Sequence, residues 1–178
     1  MTKTVLKAGI FLLFLTFTFS FIKPDYLEWD TSRKLSFADF KGSVPKGIIS
    51  GSAVSLTTII SYETRQEHGK VPQMTILNLV DRNSSWIKVK KQGVLDLQQI
   101  KFDYSELYVR KIRKEMQEMN KKKITDKQKY IAVISKIAAQ SEKKQRANQV
   151  LLEEQPHLIK IMQDDVRDSL NLYKSFAK

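Results

Sequence analysis

Eight side chains, Leu97, Ile100, Tyr104, Leu107, Tyr108, Ile112, Met116 and Met119, recur at three- and four-residue steps. That spacing draws an apolar stripe down one face of a helix of about six turns. A stripe of that length has to be covered by other elements. The segment "NKKKI" (120–124) interrupts the period. Thr125 with Gln128 then forms a capping box that opens a second helix, through Tyr130, Ile134 and Ile137 to about Glu154. Pro156 restarts a third helix, with Leu158, Ile161, Met162, Val166, Leu170 and Tyr173 on one side.

Upstream of Gly93 the period is that of strands. Residues 26–45 alternate apolar and polar as far as Leu35 and Phe37 and break at Gly42 and Pro45, while Ser36 with Asp39 can cap a short helical turn. "AVSLTTIISY" (53–62) and "MTILNLV" (74–80) read as strands joined through "EHGKVP". "SWIKVKK" (85–91) alternates Trp86, Lys88 and Lys90 against Ile87 and Val89, the period of a half-exposed strand. The expectation is an α+β fold, a small, mainly antiparallel sheet followed by the long helix and two further helices. One domain spans 23–178, strand-rich over 25–91 and helical over 94–178.

Residues 1–22 stand apart. Lys3 and Lys7 precede the uncharged run "AGIFLLFLTFTFSFI" (8–22), which is shorter than the roughly 20 residues that span a bilayer comfortably. The pattern is that of a signal peptide, with Thr18 and Ser20 an imperfect small-x-small cleavage site and retention as an N-terminal anchor the alternative. Export to the periplasm or beyond is therefore expected. Without cysteine the chain has no disulfide, thiolate ligand or lipid-acylation site.

The formal charge is +12, and its distribution is uneven. Between Arg110 and Arg146 there are 13 Lys and Arg against 4 Asp and Glu, whereas the chain beyond is near neutral. Such a segment attracts anionic polymers, and Arg110, Lys114, Lys121, Lys122 and Lys123 are the candidate anion-binding side chains. Export argues against nucleic acid as the partner and for anionic envelope polymers, lipid headgroups or an acidic protein. The plainer alternative is a solvated, lysine-rich helix face.

Three stretches, in order, resemble bacterial exported proteins described as secreted zinc-dependent-protease-like, a domain of unknown function. "WDTSRKLSFADFKGSVP" (29–45) is close to that family's Trp-x-x-x-Arg-x-Leu-x-x-x-Asp-Phe-x-Gly opening. "DRNSSWIKVKK" (81–91) resembles the strand leading into the family's helix, and "FDYSELYVRKIRKE" (102–115) the end of its "HEQxHFDIxELYARK" signature. Together they cover roughly residues 25–120. The resemblance implies a zincin-type helix, in which two His at i and i+4 hold Zn²⁺ and the Glu between them activates its water. Aligned on Phe102 and Asp103, those positions hold Leu97, Gln98 and Lys101. Leu97 has no lone pair, Gln98 cannot accept a proton, and Lys101 puts a positive charge where a dication would sit.

Relocated ligands have few sources. The histidines are His68, in the connection between two strands, and His157, at the start of the last helix; a third ligand ten residues after the first would fall on Leu107. Asp103 and Glu106 could share a helix face as an acid/base pair, and pairing with Arg110 is the plainer role. Trp29, Phe37, Phe40 and Trp86 could line a groove or fill a core. The expectation is a catalytically inactive, exported, zinc-protease-like protein without cofactor or metal, with a binding or structural role in the cell envelope. Its Leu97 should turn inward onto a closed or apolar cavity. The alternatives are a basic helical module for anionic polymers or headgroups, and, last, a metallohydrolase with ligands moved to His68, His157, Asp103 or Glu106.

Overall fold

A computed structural model describes residues 24–47 and 53–178, so the expected leader at 1–22 lies outside the described residues. The fold is α+β. Strands β1 (Tyr26–Glu28), β4 (Gln73–Asp81) and β3 (Thr58–Arg65) form an antiparallel sheet in the order β1-β4-β3. The short strands β2 (Val54–Ser55) and β5 (Trp86–Ile87) pair separately. Three helices follow, α1 (Gln92–Lys121), α2 (Lys127–Glu154) and α3 (Ile159–Leu172). Among the described residues no helix is long and apolar enough to cross a membrane.

Helix α1 is the axis of the molecule. Its C-terminal half (Val109, Ile112, Met116, Met119) packs against Ile76 of β4 and Tyr130, Ile134 and Ile137 of α2. Ile100, Tyr104 and Leu107 meet Leu152 and the Met162, Val166, Leu170 ridge of α3. Leu95 and Phe102 meet Leu27, Leu35, Leu56 and Val80. From Phe102 to Arg110 every residue but Tyr108 is buried, so the helix is enclosed on its polar face as well as along its stripe. Burying that face is tolerable because its polar groups have partners.

Several local expectations need correction. The run 85–91 is a strand only at Trp86 and Ile87, and both are buried. Lys88 and Val89 both turn their N–H toward Ala53 O, at 2.8 and 3.3 Å, which bends the chain out of the ladder and into α1. The cap of α2 is Asp126, whose Oδ1 accepts from Gln128 N at 2.9 Å. Thr125 instead offers its carbonyl to Gln66 Nε2 at 2.6 Å. On α3, Ile161 does not join the packed ridge and is 62% exposed.

The opening segment is a clasp. Ser36 does begin a helical turn, at Phe37–Asp39, and its N–H and hydroxyl both donate to Asp39 Oδ2, at 2.8 and 2.9 Å. Asp39 is fully buried and also takes Arg33 Nη2 at 2.7 Å. At Gly42 a Cβ would stand 2.6 Å from Asn83 O and 2.9 Å from Ser85 O, so only glycine lets this strap lie against the turn after β4.

Candidate functional site

Leu97, Gln98 and Lys101 sit together on one wall of a cleft of about 420 Å³, formed by α1, α2 and the β2–β5 pair. Helical spacing puts Leu97 and Lys101 one turn apart on that wall. Leu97 is half-buried and packs against the Ile100, Leu107, Leu152 cluster. The cavity it borders is neither closed nor purely apolar, contrary to expectation. Apolar Leu56, Trp86 and Leu152 share its lining with Gln145, Asn148 and Gln149. The lysine explains why: Lys101 Nζ donates to Leu56 O at 2.6 Å, an anchor that keeps an ammonium in the wall. Burial pushes that ammonium below the usual lysine range.

Two further polar groups border the cleft. Tyr104 donates to Asp165 Oδ2 at 2.6 Å, and burial, reinforced by that carboxylate, holds its phenol protonated far above the ordinary range. Asn148 stands beside Tyr104 and is 5% exposed, yet its Nδ2 finds no acceptor in hydrogen-bonding geometry. An amide donor buried without a partner costs about 1–3 kcal/mol.

A second cavity, about 610 Å³, lies on the opposite face of α1, bordered by Trp29, Asn78, Glu106, Arg110 and Arg113. Here the two carboxylates of the proposed acid/base pair go separate ways. Glu106 Oε1 accepts from Arg110 Nε at 3.0 Å and Arg113 Nη1 at 3.1 Å. Burial nevertheless pushes the Glu106 carboxyl up, against the pull of Arg113 and Arg110. Asp103 Oδ1 takes Trp29 Nε1 and Gln99 Nε2, both at 2.8 Å. Trp29 is thus a positioned side chain, not plain core filling, and the Arg110 guanidinium lies 5.2 Å over its ring. Trp86, by contrast, is buried.

Of the five candidate anion-binding residues, Lys114, Lys121 and Lys122 surround Glu118 and hold its carboxyl below the usual range, with the Lys121 hydrogen bond the largest cause, while Arg110 leaves the surface. Arg110 is buried, bound to Glu106 and to Leu170 O at 2.8 Å, so it cannot belong to an exposed anion-binding surface. Its charge is needed inside, where Glu106 has to be neutralised. Lys114 lies 5.6 Å over the Tyr173 ring, Lys121 pairs with Glu118 at 2.7 Å, and Lys122 and Lys123 are exposed in the turn between α1 and α2. His68 and His157 are both exposed, on the β3–β4 connection and in the turn before α3, whereas Asp103 and Glu106 are buried on α1. Among the described residues no three His, Cys, Asp or Glu side chains come together in a way that could hold a metal ion.

Sequence reasoning missed Asn148, Asn78 and Arg113. Arg113 Nη2 ties α1 to Ile76 O at 2.8 Å, and Asn78 links β4 to α1 through Phe102 O and Ser105 Oγ at 3.2 and 2.8 Å. The one signal for Asn78 was a polar residue at an inward position of an otherwise apolar strand. No protein-family model, curated protein or solved structure matches the chain.

Proposed function

We propose that the protein is a catalytically inactive, exported relative of the zinc-protease-like type, which acts by binding through the cleft bordered by α1. The observation that carries this reading is the anchoring of Lys101. Its ammonium occupies the wall one turn from Leu97 and is tied to Leu56 O, at the positions where a zincin helix would present its two imidazoles. A fixed cation there repels a dication and offers a donor to an anionic or carbonyl-bearing ligand instead. Gln98 keeps the length of a glutamate without its basicity, so it cannot take a proton from water.

The assay is cleavage of a general protein substrate and of a fluorogenic peptide mixture by the full chain, with and without a chelator. No chelator-sensitive cleavage is expected at any pH from mildly acid to mildly alkaline. Turnover that a chelator abolishes and zinc restores overturns the reading.

A further inference from the structure

We propose that the cleft between α1, α2 and the β2–β5 pair takes a fatty-acid-like molecule, with its carboxylate on Lys101 and Asn148 and its unbranched chain along the apolar wall. The inference deepens the binding role above and rests on it. The cleft holds donors that the protein itself leaves short of acceptors. Lys101 has Leu56 O as its hydrogen-bond acceptor, and among the described residues it has no carboxylate partner. An ammonium carries three donors, so capacity is left over. Asn148 Nδ2 is buried beside the Tyr104 phenol and has no acceptor in hydrogen-bonding geometry. No Asp or Glu is among the residues bordering the cleft, and the other polar side chains there are neutral. A single negative, acceptor-only group serves the spare donors of the ammonium and the amide together.

The rest of the wall selects what is attached to that group. Leu56, Trp86, Val94, Leu97, Ile100 and Leu152 supply its apolar part. At about 420 Å³ the cleft falls within the roughly 300–1,000 Å³ of small-molecule sites. Leu97 has a use in this setting: where a zincin helix would need a ligand, an alkyl chain needs a leucine. A polyanion fits poorly, because one half-buried ammonium cannot neutralise several charges.

The test is calorimetric titration of the full chain with decanoate below its micellar concentration, beside decanol and N-acetyl-leucine as matched probes. Decanoate should bind saturably, and decanol and N-acetyl-leucine at least about tenfold more weakly, the expected value of a charge-assisted hydrogen bond. Lys101→Met should weaken decanoate by roughly ten- to a hundredfold while leaving decanol unchanged. Asn148→Asp serves where Lys101→Met does not fold; it puts a carboxylate on the same wall and should abolish decanoate binding. Equal binding of decanoate and decanol, tighter binding of N-acetyl-leucine, or no saturable binding of decanoate overturns the proposal. In a chain free of zinc and of peptidase activity, that failure removes the ligand class and leaves the non-catalytic reading standing. Chelator-sensitive turnover removes the reading itself.

Discussion

Glu106→Ala should lower the free energy of unfolding by about 3–5 kcal/mol, the cost of leaving a buried cation without its partner. Arg110 is 5% exposed, and Arg113, which shares the same carboxylate oxygen, is held by Ile76 O. The loss is read from urea unfolding monitored by circular dichroism. Joint replacement, Glu106→Leu with Arg110→Met, should cost clearly less than the two single changes added, because the penalty comes from the orphaned charge. A single-mutant loss under about 1 kcal/mol, the value of an exposed pair, would mean that solvent reaches this side of α1 freely.

Ile112→Ala is the second large effect, at about 2–5 kcal/mol. Ile112 is fully buried in the cluster that joins Ile76 of β4 to Tyr130 and Ile134 of α2, so the deleted atoms leave a void between three elements. Ile161→Ala is the matched comparison. It removes the same atoms from a side chain 62% exposed and should change stability by no more than about 0.5 kcal/mol. Equal losses at both positions would contradict the packing of α1 against sheet and α2.

The difference between those two isoleucines shows where the sequence could be read and where it could not. The stripe on α1 was legible because eight apolar positions in one period leave a single way to bury them. The hairpin of β3 and β4 was legible from its β-branched runs. Ile161 was not, because α3 is short and covers α1 with only part of its apolar arc. The strand at 85–91 failed for a related reason: periodicity says nothing of Ala53 O, which draws two successive N–H groups and ends the ladder.

The candidate site was legible in one half. Leu97, Gln98 and Lys101 do line a common cleft, which follows from helical spacing alone. What the spacing could not convey is that α1 is buried on its polar face too. A helix with an apolar stripe ordinarily shows its other side to water, which is why Arg110 reads as a surface cation in the sequence. Here the segment from Trp29 to Leu35 lies over that side, with Trp29 on Asp103 and Leu35 N on Gln99 Oε1 at 2.8 Å. Those contacts join residues 74 and 64 positions apart and leave no local trace. The unmet amide of Asn148 is likewise a property of the assembled wall.

On the proposed function, the α1 wall at Leu97, Gln98 and Lys101 binds without metal chemistry. Elemental analysis of the full chain, purified without an affinity tag and dialysed at neutral pH against micromolar zinc, tests it most directly. Zinc well below one atom per chain, unchanged by Lys101→Met, is expected. About one zinc per chain, retained through dialysis as a tetrahedral protein site retains it, would contradict the account.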